Sequence, residues 1–173
     1  MYDLDLNPAY VGQSSDLRSR LRQHFIRQDS SVVSYGRLDI WDISQFDFWQ
    51  TTQADDAEQF LIHETNPYLN FGEGTRIDRS AIDIDIETPD GTIQLISEGE
   101  RKLRSKPYNR VKQKLDHLSR MVDKIQFAGH SDKTKRTLYQ HQAILEENLS
   151  QFLGIDVKEG REGDLRQFLD TND

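Results

Sequence analysis

The chain has 173 residues, a formal net charge of −8 and no cysteine. This length can bury a core without disulfide bonds, and the missing cysteines exclude a disulfide framework and a thiolate metal site. The first residues include Asp3 and Asp5 and no long apolar run, which argues against a signal peptide or membrane span and predicts a cytoplasmic protein.

The charge is unevenly distributed along the chain. Residues 100–140 hold 12 Lys+Arg and 4 Asp+Glu, so a strongly basic block lies inside an otherwise acidic sequence. An acidic surface repels DNA at a distance, so any contact with a nucleic acid is expected to be local and salt-sensitive.

The first predicted elements are a short hairpin and a helix. Residues 2–13 have the pattern of a hairpin that turns at Asn7-Pro8. Ser14 or Ser15 can cap the helix that follows, which is expected to end near residues 28–30.

This first helix carries an unusual set of polar side chains. Arg20, His24 and Arg27 fall at i, i+4 and i+7, which places them on one face of an α-helix. Tyr10 precedes the helix across a tight turn, and a tyrosine followed by such a face suits a phosphate site. The alternative is an ordinary strand-to-helix connection with a solvated basic face.

The next stretch predicts strand and then helix. Residues 31–50 are rich in β-branched and aromatic side chains, and we expect one or two strands there. Thr52 and Asp55 form a capping-box pattern for a second helix, which should run to about Thr65 and stop before Pro67.

The clearest strand pattern lies beyond residue 80. Ile82, Ile84 and Ile86 alternate with acidic residues, Pro89-Asp90-Gly91 is a turn signal, and the alternation continues to residue 95. The pattern predicts a hairpin with an acidic outer face.

The remainder of the chain predicts helices. Apolar residues at helical spacing cover 111–125 and 138–152, with a break at 129–132. Gly154 is expected to cap the second of these helices, and a short last helix is expected around 165–169.

Glu58 lies within the apolar face of the second predicted helix, together with Ala57, Leu61 and Ile62. An unpaired buried carboxylate is strongly unfavourable, so Glu58 should have a partner. One alternative is a residue at the edge of the stripe that reaches solvent or pairs with an arginine such as Arg20. The other is a ligand for a divalent metal, since one carboxylate completed by waters and a phosphate suits Mg²⁺.

Two multi-residue patterns occur in order within residues 1–70. The first is Tyr10-Val11-Gly12-x-Ser14-x-Asp16-Leu17-x-x-Arg20-Leu21-x-x-His24, and the second is Glu58-x-x-Leu61-Ile62-x-x-x-x-Pro67-x-x-Asn70, where x is any residue. They resemble the second half of the first signature and the distal signature of the GIY-YIG nuclease family. The stretch is similar to the nuclease modules of bacterial excision-repair endonucleases.

The resemblance implies an α+β fold with a small three-stranded antiparallel sheet flanked by helices. On this interpretation residues 1–75 form a GIY-YIG-like nuclease domain, and residues 76–173 form a C-terminal β-hairpin and helical extension of unknown function. The implied activity is metal-dependent endonuclease hydrolysis of DNA phosphodiester bonds, with Mg²⁺ or Mn²⁺ as cofactor.

The resemblance also implies roles for single residues. Glu58 would bind the metal, and Arg20 would hold the scissile phosphate and stabilise its developing charge. Tyr10 would line the site and orient the attacking water, and His24 would support that network. An arginine and a metal are what phosphoryl transfer needs, because it depends on positioning and on stabilising negative charge.

One part of the family pattern is not matched. The family begins with a strand that contains Gly-x-Tyr. In the family, the tyrosine of this strand lies further before the position that matches Tyr10 than Tyr2 does in this chain. Either Tyr2 substitutes for it across a shorter hairpin, or the chain starts inside the first strand. The second option predicts a catalytically impaired module that binds nucleic acid or a protein partner without cleavage.

The basic block offers a surface for nucleic acid. Arg110, Lys112 and Lys114 lie on one predicted helix and would hold a nucleic-acid backbone beside the nuclease domain. The alternative is a solvated helix face with no ligand.

Overall fold

The computed structural model describes residues 1–30, 33, 37–70, 74–128 and 131–155. They form an α+β fold in which helices flank a three-stranded antiparallel sheet, and the predicted fold class is confirmed. The short helix predicted at 165–169 lies outside the described residues.

The sheet has the order β1-β2-β3, with β2 in the centre. Its strands are β1 (Tyr2–Asp3), β2 (Ile43–Phe48) and β3 (Gly91–Gln94). Gln45 in β2 lies opposite both Tyr2 and Gln94. The stretch 31–50 therefore contributes one strand to the described residues, and the sheet combines elements from distant parts of the sequence.

Five α-helices and two other helical segments are described. They are α1 (Leu17–Leu21), a π-helical segment (Arg22–Arg27), α2 (Ala54–Thr65), a 3₁₀ turn (Arg79–Ala81), α3 (Glu98–Arg104), α4 (Pro107–Ala128) and α5 (Asp132–Leu153). Among the described residues, no helix is both long and apolar enough to cross a membrane.

The first helix departs from its prediction at both ends. Asp16 is the N-cap and accepts a hydrogen bond from the Ser19 N–H at 3.0 Å, so the predicted serine cap is wrong. Beyond Leu21 the helix widens into a π-helix, which has more residues per turn and moves later side chains to another face. His24 is consequently buried while Arg27 is exposed, and the predicted common face does not extend to Arg27.

The predicted N-terminal hairpin is present in part, because its two arms are joined by hydrogen bonds from the Ala9 N–H to the Met1 carbonyl at 2.9 Å and from the Met1 amino group to the Tyr10 carbonyl at 2.8 Å. The Asp3 N–H donates to the Asn7 carbonyl at 3.0 Å, and Tyr2 forms an isolated bridge with Pro8. The second arm is not a regular strand, and beyond Tyr10 the chain forms hydrogen bonds with Asn70, which follows α2.

The predicted hairpin around residues 82–95 is wrong. Of the two predicted strands, only β3 forms, and it pairs with β2. Ile82 and Ile84, in the segment predicted as its partner strand, pack instead against Phe60 and Leu61 of α2. The alternation correctly indicated that Ile82 and Ile84 are buried, although their partner is a helix, but Ile93 and Leu95, which continue the pattern, are exposed. These contacts cross the boundary predicted between residues 75 and 76.

The two long C-terminal helices match their prediction closely. Helices α4 and α5 pack together, with the His117 and His141 rings 4.5 Å apart. Gly154 ends α5 with φ +66°, a left-handed conformation that glycine adopts without strain.

Candidate active site

A cavity of about 550 Å³ lies between the sheet, α1 and α2. The five residues predicted to be catalytic all line it, although they come from β1, the loop before α1, the first helix and α2: Tyr2, Tyr10, Arg20, His24 and Glu58. We call this space the active-site cavity. Its size is within the range of ordinary ligand pockets.

The side chain of Asn70 joins the two signature segments. Its Oδ1 accepts from the Val11 N–H at 2.8 Å, and its Nδ2 donates to the Val11 carbonyl at 2.9 Å. The Leu69 N–H also donates to the Ala9 carbonyl at 3.0 Å. Asn70 thus satisfies the backbone as a neighbouring strand would, and it holds the loop containing Tyr10 against the end of α2.

Glu58 is half-buried at the edge of the apolar face of α2, and its partner is an amide. Gln13 Nε2 donates to Glu58 Oε2 at 3.1 Å and to Asp55 Oδ1 at 2.5 Å. The predicted alternative of an ion pair with Arg20 is wrong, because Arg20 instead donates to Gln23 Oε1 at 3.4 Å.

Asp55 shares the Gln13 amide with Glu58, although the sequence pattern assigned it to a capping box with Thr52. The predicted capping box is wrong, because Gln53 is the N-cap and its side chain makes no capping bond. Thr52 donates to Asp83 instead. The spacing of Asp55 and Glu58, three residues apart in one helix, is the signal that would have identified the pair.

The carboxylates of Asp55 and Glu58 fit a hard divalent cation. Both direct an oxygen at the same amide nitrogen of Gln13, so a positively polarised group already lies between them. Mg²⁺ and Mn²⁺ prefer oxygen ligands, and Mg²⁺ usually retains several waters. Among the described residues no cluster of three or more metal-ligating side chains occurs, so waters and substrate would complete the coordination.

Tyr10 and His24 are positioned by close packing. Their rings meet edge to face with centroids 5.9 Å apart. The Tyr10 ring lies over the backbone at Gly12, where an added Cβ would be 2.7 Å from the ring. Glycine at this position therefore lets the ring approach the loop.

His24 acts as a neutral group. Its Nδ1 lies 2.9 Å from Ser30 Oγ, while its buried Nε2 has no hydrogen-bond partner among the described residues. Burial, and then the charge of Arg20, lower the pKa of His24 to about 4. The imidazole is therefore uncharged at neutral pH and does not serve as a cationic phosphate ligand.

Tyr2 is paired with Asp47, a residue that sequence reasoning missed. Burial, the charge of Asp47 and a hydrogen bond to its carboxylate raise the pKa of Tyr2, so the phenol stays protonated and donates. Asp47 also lines the cavity and accepts from Thr92 Oγ1 at 2.5 Å. No local signal marked Asp47, because its proximity to Tyr2 follows from the pairing of β1 with β2.

Two of the three predicted nucleic-acid-binding residues are buried. Arg110 and Lys114 have no exposed side-chain surface, and both form ion pairs with Asp42. Arg110 also pairs with Asp5 at 2.7 Å and lies 3.8 Å from Asp3. The prediction that these two cations contact nucleic acid is wrong, because a buried cation needs a protein carboxylate as its partner. We call the set of five charged residues that these contacts join the buried ion cluster: Asp3, Asp5, Asp42, Arg110 and Lys114.

Lys112 lies on the same helix and is exposed, so its contact with nucleic acid stays a prediction. Within the buried ion cluster, burial would raise the pKa of Asp42, but the Lys114 and Arg110 charges together lower it. Burial and the Asp42 charge raise the pKa of Asp3 to about 6.

Comparison of the chain with family models, curated proteins and solved structures finds no significant match.

Proposed function

We propose that this protein is a metal-dependent endonuclease of the GIY-YIG type that hydrolyses phosphodiester bonds in DNA. The observation that carries the proposal is the meeting of Tyr2, Tyr10, Arg20, His24 and Glu58 around one cavity. The bridge from Asn70 to Val11 adds support, because it couples the two signature segments physically.

The charges of the cavity support a role for a metal. Asp47 and Glu58 line it together with the cation Arg20, and Asp55 lies beside Glu58. Such a site repels a phosphodiester until a divalent cation balances the carboxylates. Glu58 and Asp55 would hold Mg²⁺ or Mn²⁺, which supplies Lewis-acid stabilisation of the phosphate oxygens when bound.

The remaining side chains have roles that follow from their protonation. Arg20 would bind the scissile phosphate and the charge that develops on it, because a guanidinium offers several N–H donors in a fixed geometry. Tyr2 is a protonated donor, so it would orient the attacking water rather than deprotonate it. Tyr10 would contribute a second phenol, held in place by the neutral ring of His24.

The test is nicking of supercoiled plasmid with Mg²⁺ or Mn²⁺. Glu58→Gln keeps the side-chain shape but removes the charge, and Arg20→Ala removes the phosphate ligand. We expect each to reduce the rate by about 100-fold or more, because removal of one group that stabilises transition-state charge has an effect of this size.

Matched controls come from the same helices. Glu64→Gln in α2 and Arg18→Ala in α1 alter exposed residues outside the cavity lining and should retain the wild-type rate. If Glu58→Gln and Glu64→Gln nick equally well, Glu58 is not the metal ligand.

A second candidate function is a nuclease-like module that binds DNA without cleavage. The observation that favours it is the Gln13 amide, which already satisfies both the Glu58 and Asp55 carboxylates and would have to be displaced by a metal. Salt-dependent DNA binding with no nicking in either metal would support this candidate over the enzyme.

A further inference from the structure

The first helix and the π-helical segment that continues it concentrate the cations of the N-terminal region. Four of the five Lys+Arg of residues 1–70 lie between residues 17 and 27, and this stretch contains no Asp or Glu. Arg20 lines the active-site cavity, whereas Arg22 and Arg27 are exposed and lie outside its lining. The stretch therefore presents cations both to the cavity and to the surface beside it.

The π-helical segment brings Arg22 and Arg27 together. In a π-helix residue i bonds with residue i+5, so residues five apart lie one turn from each other. In an α-helix, which has 3.6 residues per turn, the same spacing would direct them to different faces. Ile26, next to Arg27, is 70 % exposed, so the rest of the described chain leaves this turn open. We call Arg22 and Arg27 the arginine pair.

The arginine pair lacks the carboxylates that balance other exposed cations of this protein. Among the described residues, neither member of the pair forms an ion pair. In α3 and α5, by contrast, Lys102 lies 3.5 Å from Glu98 and Lys135 lies 3.2 Å from Asp132, each one turn away. Like charges on adjacent turns of a helix repel each other. An external anion would remove that repulsion.

Arg18 provides a comparison within the same helix. It is exposed as well, but it lies close to the Asp16 carboxylate. Hydrogen bonds from Ser19 lower the pKa of Asp16, and the nearby charge of Arg18 contributes in the same direction. The charge of Arg18 is thus partly balanced inside the protein, unlike the charges of the arginine pair.

The distance from the arginine pair to the active-site cavity fits the backbone of one DNA strand. The pair and Arg20 lie on different sides of one helix, and a helix with its side chains is about 10–12 Å wide. Successive phosphates of one strand are about 3.4 Å apart along the duplex axis. A strand whose scissile phosphate lies at Arg20 would therefore place a phosphate about three positions away near the pair. Guanidinium groups are well matched to this contact, because their N–H donors bind two phosphate oxygens at once.

We propose that Arg22 and Arg27 form a contact surface for the backbone of double-stranded DNA that enters the active-site cavity. The proposal rests on the proposed function for the identity of the polymer. It replaces the predicted contacts of Arg110 and Lys114, which are neutralised in the buried ion cluster, by two exposed cations that have no ion-pair partner in the described part of the chain.

The test is the binding of a short, fluorescently labelled DNA duplex, measured by fluorescence anisotropy at several salt concentrations. All proteins carry Glu58→Gln, which lowers the negative charge of the cavity, and the buffer contains EDTA to prevent cleavage. We expect Arg22→Ala combined with Arg27→Ala to weaken binding about tenfold or more. The slope of log affinity against log salt concentration should become shallower by about 2, because each phosphate contact contributes about 0.9.

Arg18→Ala combined with Lys135→Ala is the matched control. It removes the same net charge, but from residues that have carboxylate neighbours, and should change the slope by less than about 0.5. Alanine favours helix, so both double variants should fold, which circular dichroism checks. Equal slopes for the two double variants, or no binding of the duplex by the Glu58→Gln protein, would overturn the proposal. So would a lower melting temperature of the Arg22 and Arg27 variant with an unchanged slope, because that result indicates a role in helix stability alone.

Nicking assays of the same substitutions, made without Glu58→Gln, separate this proposal from the proposed function. We expect the Arg22 and Arg27 variant to raise KM for plasmid about tenfold or more and to change kcat less than about twofold, because the pair lies away from the reacting phosphate. Binding that depends on the pair, without nicking by the wild type, would reject the nuclease and support the contact surface. Nicking with an unchanged KM in the variant would reject the contact surface and leave the nuclease in place.

Discussion

Charged side chains of the same types have opposite roles in two regions of this protein. In the buried ion cluster, Arg110 and Lys114 are fully enclosed, and each meets a carboxylate directly. At the active-site cavity, Arg20 and Glu58 are only half-buried, and each contacts a neutral amide side chain. The first region neutralises its charges inside the fold, whereas the second leaves charge available for a ligand.

This contrast explains why the basic block was a misleading signal. The sequence contains 12 Lys+Arg between residues 100 and 140, and Arg110 and Lys114, which the nucleic-acid prediction grouped with Lys112, are structural. Arg20 belongs to the acidic region 1–70, which holds 5 Lys+Arg and 11 Asp+Glu, yet it reaches a cavity. Whether a cation can bind a ligand therefore depends on its partner and not on the net charge of its region of the sequence.

The largest expected effect comes from breaking the buried ion cluster. Asp42→Asn leaves Arg110 and Lys114 buried without their shared carboxylate, and removal of one partner from a buried ion pair typically costs about 3–5 kcal/mol. Urea denaturation should show this loss in the free energy of unfolding. Asp116→Asn, an exposed change in α4, should stay within about 0.5 kcal/mol. A comparable effect of the two variants would show that the cluster does not hold the fold.

The next effect concerns the bridge that shapes the active-site cavity. Asn70→Ala removes two hydrogen bonds to the Val11 backbone and should reduce stability by about 2 kcal/mol. Asn109→Ala loses one hydrogen bond, to the Leu103 carbonyl, and should lose at most about 1 kcal/mol. Thermal and urea denaturation of both variants measure the difference, and an equal loss would argue against a special role for Asn70.

The two regions should also respond oppositely to pH. The pKa of His24 is lowered to about 4 in the folded state, so the unfolded state binds more protons and stability rises from pH 4 to 6.5. The pKa of Asp3 is raised to about 6, so the folded state binds more protons and stability falls over pH 4 to 6. Each contribution has a slope of at most about 1.4 kcal/mol per pH unit.

Single variants should reveal these opposing slopes. Relative to wild type, His24→Phe should lose stability as pH rises from 4 to 6, and Asp3→Asn should gain stability over the same range. The measurement is the free energy of unfolding at several pH values. Parallel profiles for the wild type and both variants would contradict the pKa directions.

The smallest expected effect is at Gly12. Gly12→Ala places a methyl group 2.7 Å from the Tyr10 ring, so the ring must move, while the fold should lose no more than about 1 kcal/mol. The nicking rate should therefore fall clearly, while the free energy of unfolding changes little. Gly99→Ala in α3 is the control, because its Cβ would meet only Ser97 Oγ, at an ordinary contact distance of 4.0 Å, and alanine should stabilise that helix by about 0.5–1 kcal/mol. An unchanged nicking rate in Gly12→Ala would contradict a role for Tyr10 in cleavage.

The sequence by itself determined the local features of this protein. Helix α2 ends at Thr65 before Pro67, and Gly154 ends α5, because prolines and caps act within a few residues. Periodicity likewise indicated that Ile82 and Ile84 are buried. The α+β class followed from such patterns together with the family resemblance.

Only the tertiary structure decided which distant groups meet. The pairing of β3 with β2, the burial of Arg110 against Asp42, and the contact of Gln13 with Glu58 join residues far apart in the chain. Helix caps and periodicity depend on neighbours within one or two turns. Strand partners and the desolvation of a charge depend on which surfaces meet in space, and no local pattern records that.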